Sequence, residues 1–176
     1  MVWLLVGLVF IVIAGFVAWS LLRAADLPAR TDAAWLPAEL RDARLLWTEE
    51  TFHHEGDISM TVRVDRVYRT RDGRLTLIEF KRRAAHRTYR SDVVELSAQR
   101  YVLQKVGHAV DRRAYVVLVS PDGGSARALL VELQDAEQIE RRAARYVELV
   151  SGARAPGRCI HTTICRGCGH RSICPK

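Results

Sequence analysis

Three charged residues near one predicted hairpin could together hydrolyse a phosphodiester bond. Alternating residues at 61–68 and an apolar run at 75–78 flank a polar Asp-Gly turn, which predicts two paired strands. Residues two apart on a strand point to the same face, so Glu79 and Lys81 project together, and Asp65 can lie opposite them. Two carboxylates can hold Mg²⁺ or Mn²⁺, and the lysine can position or activate a water beside the metal.

The same charged residues are also compatible with a purely structural role. Charged residues at strand ends are common, and an aspartate followed by Glu-x-Lys arises often by chance. The remainder of the chain therefore has to decide whether these side chains form a site or a solvated surface.

Length and charge limit the number of domains and the kinds of partner. The 176 residues suffice for one domain and a small additional element. The formal net charge is +7, from 27 Lys and Arg against 20 Asp and Glu, which favours phosphates or anionic lipid as partners. Only Lys81, Lys105 and Lys176 are lysines, and such an arginine bias also follows from a GC-rich genome. Charge therefore permits nucleic-acid binding without deciding it.

The N-terminal segment predicts a membrane anchor. Residues 2–22 carry no charged side chain, and a helix of that length spans about 31 Å, the thickness of the hydrocarbon layer. Trp3 and Trp19 lie near its ends, where the indole ring favours the interface. The alternative, a cleaved signal peptide, lacks a basic n-region here, so we expect a retained transmembrane helix over residues 1–23 in contact with membrane lipid. Arginines follow the helix and none precedes it, which predicts a single-pass cell-membrane (inner-membrane) protein whose C-terminal domain is cytoplasmic.

The rest of the chain divides into a tether at 24–37, a domain at 38–152 and a tail at 153–176. The domain's patterns predict helices at 38–45, 92–106 and 134–150, and strands at 46–52, 61–68, 75–81, 114–119 and 126–133. This order predicts an α/β fold with a mixed central β-sheet flanked by helices. A basic loop at 82–87 adjoins the candidate site and would either contact a substrate backbone or be solvated.

The tail contains all four cysteines, spaced C-x5-C-x2-C-x5-C, at Cys159, Cys165, Cys168 and Cys174. A short stretch without a core of its own gains order when four thiolates close on one metal centre. Disulfides are the alternative, which a cytoplasmic domain disfavours. Pro175 directly after the last cysteine is typical of some ferredoxin-type ligand runs, whereas zinc could use His161 or His170 in place of a thiolate. The spacing alone leaves iron–sulfur and zinc equally open.

Together these motifs resemble the PD-(D/E)XK nucleases, and more narrowly the RecB-like branch that includes CRISPR-associated exonucleases and AddB-type nuclease domains. The resemblance covers residues 40–176. It rests on Asp65, on Glu79-Phe80-Lys81, on the helical sequence ELSAQRY that begins at Glu95, and on CRGCGHRSIC in the tail.

The resemblance implies a restriction-endonuclease-like fold and divalent-metal-dependent, exonuclease-like cleavage of DNA. Asp65 and Glu79 would then bind Mg²⁺ or Mn²⁺, and the backbone carbonyl of Phe80 would complete the metal site. Lys81 would orient the attacking water. Gln99 would match the family's glutamine, which steadies the site or contacts DNA, although an alternative register gives that position to Glu95 instead.

The resemblance also bears on the remaining ligands. It favours a 4Fe-4S cluster in the tail, with zinc as the alternative; relatives take one cysteine from far upstream, a place that Cys159 would fill locally. Relatives also use an upstream histidine at the metal, for which this chain offers only His53 and His54. Two other classes remain open: a non-catalytic, membrane-tethered DNA-binding module of the same fold, and a membrane redox or metal-sensing protein centred on the cysteines.

Overall fold

Five strands and two α-helices make up the regular structure of the described residues in this computed structural model, which are 34–157 together with Cys165, Cys168, Gly169 and Cys174. A short 3-10 helix, Ala38–Leu40, precedes them. The elements follow in the order β1 (Arg44–His54), β2 (Met60–Arg69), β3 (Leu75–Arg82), α1 (Arg90–Lys105), β4 (Arg113–Val119), β5 (Ala126–Glu132) and α2 (Ala136–Val150).

The five strands form one mixed sheet in their sequence order, β1-β2-β3-β4-β5. β3 and β4 run parallel, because α1 carries the chain from the end of one to the start of the other, and the remaining neighbours are antiparallel. The predicted mixed α/β sheet is confirmed. Gly73 turns the β2–β3 hairpin with a φ of 83°, a left-handed conformation that suits glycine.

Alternation along the strands divides the core between the two faces of the sheet. The face toward α1 buries mainly aliphatic side chains from the strands, the helix and the segment before β4, among them Val64, Val67, Leu75, Leu77, Leu96, Leu103, Val110, Val116 and Leu118. Burial of each such side chain contributes about 1.5–3 kcal/mol before the entropy cost of folding is counted. The apolar run of β3 is buried on both faces, as expected for the central strand of the sheet.

The segment before β1 covers the opposite face. Leu36 and Leu40 pack there with Tyr68, Ile78 and other buried side chains. The helix predicted at 38–45 is therefore wrong in extent: only its first three residues are helical, and β1 begins at Arg44 because it pairs with the whole of β2. The strand predicted at 46–52 is correspondingly longer at both ends.

The described residues divide into two compact units, one that ends at Asp135 and one that begins at Ala136. In the second unit, α2 ends before Gly152, whose φ of 77° stops the helix as predicted. Within the described part of the chain, no helix has the length and apolarity to cross a bilayer. The transmembrane helix predicted over residues 1–23 lies outside that part.

Candidate active site

β3 and α1 bring the charged residues of the site to one face of the sheet. Glu79 and Lys81 follow Leu77 at intervals of two, so their side chains point to the face that α1 covers. Phe80 points the other way, and its ring lies 5.1 Å from that of Trp35, centroid to centroid. The alternation predicted for this strand end is confirmed.

Asp65 reaches the same face through an irregularity in β1 and β2. Val64 and Val67 both belong to the core on the α1 side, so the alternation of β2 changes phase between them. The register pairs Thr48 with Arg66 and Glu50 with Val64, and Glu49 between them has a φ of 54°, the left-handed region that non-glycine residues rarely adopt. Oδ2 of Asp65 accepts a hydrogen bond of 2.7 Å from the backbone N–H of Phe80. The distorted strand pair thus turns Asp65 toward the edge of β3.

Lys81 is held between two carboxylates. Its Nζ donates to Oε1 of Glu79 at 2.6 Å and to Oε2 of Glu95 at 2.8 Å. Glu79 is buried, with 5% of its side chain exposed, whereas Glu95 is 47% exposed at the rim. The ammonium therefore bridges a buried acid on β3 and a solvent-facing acid on α1.

Gln99 closes the inner side of the site. Its Nε2 donates to Oε2 of Glu79 and to the backbone carbonyl of Arg63, both at 3.0 Å. Its Oε1 is buried without a hydrogen-bond partner among the described residues. Of the two registers that the sequence left open, the geometry places Gln99 beside Glu79 and leaves Glu95 at the rim.

Burial raises the pKa of Glu79, and the negative charges of Asp65 and Glu95 add to that effect, while the hydrogen bonds from Lys81 and Gln99 oppose it. Desolvation lowers the pKa of Lys81, but hydrogen bonds and attraction to Glu79 and Glu95 outweigh it, so the pKa is raised. Lys81 is therefore a cationic donor in this state. It can hold and orient a water, but it is a poor proton acceptor.

The donor set fits a hard divalent cation. Oδ1 of Asp65 has no hydrogen-bond partner in the described part of the chain. The raised pKa of Glu79 means that its surroundings disfavour the carboxylate form, which a bound cation would favour. The N–H and C=O of one strand residue point to the same edge, so the carbonyl of Phe80 faces the side on which Asp65 lies. Two carboxylates and a carbonyl are the oxygen ligands that Mg²⁺ and Mn²⁺ prefer. No group of three or more His, Cys, Asp or Glu among the described residues has metal-site geometry, so the fit rests on this smaller set.

These residues share one cleft of about 440 Å³. Its wall combines the end of β3, the middle of β2 and one side of α1, at Thr61, Val62, Arg63, Asp65, Glu79, Phe80, Lys81, Glu95, Ala98 and Gln99. All four residues predicted as catalytic, and the carbonyl residue Phe80, are brought together here.

Neither candidate upstream histidine lines this cleft. His53 is exposed and bonded to Thr61 at 2.7 Å and Glu55 at 3.3 Å, and the ring of His54 lies 6.3 Å from that of Tyr101. The sequence offered Glu95 only as an alternative to Gln99 and did not predict its contact with Lys81. Its spacing of four from Gln99 puts both side chains on one helix face, which is the sequence feature that brings Glu95 to the cleft.

In the tail, the structure describes three of the four predicted ligands. The backbone N–H of Cys168 donates to the carbonyl of Cys165 at 3.4 Å. Cys165 and Cys174 are half-buried and Cys168 is exposed. Cys159, His161 and His170 lie outside the described residues.

The sheet and its acidic, lysine-containing cleft are consistent with a restriction-endonuclease-like α/β fold. The family model of the PD-(D/E)XK nuclease superfamily matches residues 13–175, so the chain belongs to that superfamily, whose members are in general metal-dependent nucleases. Among solved structures, the crystal structure of SSO0001 is similar at 16% identity and a TM-score of 0.48; the match covers 73% of this chain and 59% of that protein. No curated protein matches the chain.

Proposed function

We propose that this protein is a membrane-anchored, divalent-metal-dependent DNA nuclease of the RecB-like type, with exonuclease-like action. The observation that carries the proposal is the convergence of Asp65, Glu79 and Lys81 in one cleft. Membership of a superfamily of nucleases supports the reaction class. The net charge of +7 suits a polyanionic substrate.

The residues divide the work of hydrolysis among them. Asp65, Glu79 and the carbonyl of Phe80 would hold Mg²⁺ or Mn²⁺, which when bound supplies Lewis-acid stabilisation of the charge that develops on the phosphate. Lys81, fixed by Glu79 and Glu95, orients a water and adds positive charge beside the phosphate. Gln99 fixes the carboxylate of Glu79, so the donor set is held in place before substrate arrives.

The lysine provides the first test of this proposal. Lys81→Ala should lower metal-dependent DNA cleavage by at least about a hundredfold, because a positioned charge is lost from the site. Lys105→Ala, at the far end of α1, serves as the matched control and should cleave as the wild-type protein does. Unchanged cleavage by the Lys81 variant would exclude the site. Salt-sensitive DNA binding without any metal-dependent cleavage by the wild type would favour the non-catalytic DNA-binding module.

The tail and the N-terminal segment complete the proposal. Four cysteines that include a C-x2-C pair provide thiolates for a 4Fe-4S cluster, with zinc as the alternative. The uncharged stretch at 2–22 would hold the enzyme at the cell membrane, with the nuclease domain in the cytoplasm.

A further inference from the structure

A second cavity opens near the carboxyl ends of β3 and β4, outside the acidic cleft. Its volume is about 350 Å³. It is lined by three basic side chains, two serines and one leucine: Arg83, His86, Leu118, Ser120, Ser125 and Arg127. No acidic side chain is among these lining residues, in contrast to the neighbouring cleft.

The strand register fixes where this cavity lies relative to the candidate active site. Lys81 pairs with Leu118 on β4, and Leu118 pairs with Arg127 on β5. Residues directly opposite across a sheet project to the same face, so Lys81 and Arg127 stand in one row on the face that α1 covers. Neighbouring strands are about 4.8 Å apart, which puts the two backbones about 10 Å from each other.

One basic residue of the cavity is held rigidly. Arg83 donates to Oδ1 of the buried Asp92 at 2.8 Å, and its guanidinium lies 4.6 Å from the ring centroid of Tyr89. Since the side chains of Arg83 and Asp92 are only 17% and 4% exposed, the pair is fixed within the fold. The pair therefore forms one fixed side of the cavity.

Two of the remaining donors are available to a ligand. Arg127 and His86 are exposed and have no hydrogen bond or ion pair to any residue that the structure describes. The hydroxyl of Ser120 is used within its own turn, where it donates to Asp122 and accepts from the backbone N–H of Ser125 at 3.2 Å. Asp122 also accepts from the N–H of Gly124 at 3.1 Å, so that carboxylate is engaged by the turn.

We propose that this cavity, which we call the Arg127 cavity, binds a backbone phosphodiester of the DNA strand that is cut at the acidic cleft. Planar guanidinium donors match phosphate oxygens, and the lack of lining carboxylates excludes a cation site. Phosphates of one strand recur about every 3.4 Å along the duplex axis, so a separation of about 10 Å places the bound phosphate within about three nucleotides of the scissile bond. The inference rests on the proposed nuclease function for the position of the cut.

Binding measured without divalent metal tests the cavity independently of cleavage. With the full chain and a single-stranded oligonucleotide in EDTA, Arg127→Ala should weaken binding about tenfold, the effect of one charge-assisted hydrogen-bonded contact. It should also reduce the slope of log K against log salt by about one phosphate contact. Arg69→Ala is the matched control, because Arg69 is also an exposed strand arginine, at the opposite end of the sheet. Equal effects of the two substitutions would overturn the proposal.

Cleavage of DNA with single neutral phosphates locates the contact. A methylphosphonate at one position should suppress cutting at bonds a fixed distance away, within about three nucleotides, and Arg127→Ala should remove that suppression. An unaltered pattern in the variant would overturn the assignment. In metal-free binding, closed circular single-stranded DNA should also show the loss of affinity caused by Arg127→Ala; if that loss is seen only on linear DNA with a terminal phosphate, the cavity binds an end and the internal assignment is wrong.

The two proposals fail in different ways. If wild-type protein does not cut DNA, the nuclease proposal is lost, yet a specific Arg127 effect on metal-free binding still supports the phosphate site. If cutting depends on Lys81 while Arg127 and Arg69 behave alike, the nuclease stands and the cavity does not bind phosphate.

Discussion

At the scale of single residues, Glu79 is the carboxylate of the site that combines burial with negatively charged neighbours. It is almost fully buried, it faces two other carboxylates, and its compensation comes from Lys81 and Gln99. Burial and the neighbouring carboxylates thus disfavour the ionised form of Glu79 and raise its pKa. Such an environment is typical of sites where function rather than stability decides the residue.

Glu79→Gln should therefore stabilise the metal-free protein at neutral pH. Because the folded protein raises the pKa of Glu79 above its ordinary 4.5, the favourable contribution of this group is present below that value and is lost as the pH rises through the raised pKa. The glutamine variant lacks this loss, so its advantage in the free energy of unfolding should grow from acid to neutral pH. Urea denaturation at several pH values in EDTA measures the difference.

A matched substitution separates this effect from general loss of charge. Glu95→Gln removes the exposed partner of Lys81 and should change stability by no more than about 1 kcal/mol, as for other solvent-exposed ion pairs. A Glu79→Gln protein less stable than wild type near neutral pH would show that the ion pair with Lys81 outweighs burial.

At the scale of elements, the irregular pairing of β1 with β2 positions Asp65. A left-handed residue in the middle of a strand costs of order 1–3 kcal/mol and is retained only where its surroundings require it. Here Glu49 lies where β2 changes phase, and the change places Asp65 on the α1 face with Glu79. The ion pair of Glu49 with Arg63, at 3.3 Å between exposed side chains, adds little.

Glu49→Val should test this role of the backbone. A β-branched side chain is strongly disfavoured at positive φ, so the variant should lose about 1–3 kcal/mol of stability and, as the strand pair relaxes, should cleave DNA more slowly. Thr51→Val is the control, since Thr51 is exposed on the same strand and pairs regularly with Arg63. Glu49→Gly should be tolerated because glycine accepts this φ. Full cleavage by the valine variant would show that the position of Asp65 does not depend on the strand irregularity.

At the scale of the whole molecule, the described nuclease-like domain lies between two segments with different chemistry. The uncharged stretch at 2–22 precedes it and the cysteine tail follows it. Each segment carries a proposal that is independent of the cleft, so each needs a measurement of its own.

The cysteine tail should bind a 4Fe-4S cluster in protein purified without oxygen. A brown protein with a broad absorbance band near roughly 400 nm is expected, because thiolate-ligated iron absorbs there. Cys168→Ser removes one ligand and should lose the band, whereas the Lys81→Ala variant should retain it. Colourless protein that contains one zinc per chain would instead identify a zinc site.

The N-terminal segment should hold the full chain in the membrane fraction. About 20 apolar residues are enough to span the hydrocarbon layer, so an alkaline wash should leave the protein in the pellet. A chain that begins at residue 24 should appear in the supernatant. Recovery of the full chain in the supernatant would contradict the anchor.

The sequence by itself determined the strands, the first hairpin and the common face of Glu79 and Lys81, because each depends on alternation and turn chemistry within a few residues. It also predicted the helix that carries Glu95 and Gln99. Only the tertiary structure decided which of these two lies inside, since that depends on how α1 rotates against β2 and β3. It alone turned Asp65 toward Phe80, because the change of phase in β2 occurs beside the left-handed residue Glu49 on another strand. Local periodicity sets the face of each side chain, and long-range pairing decides which side chains meet.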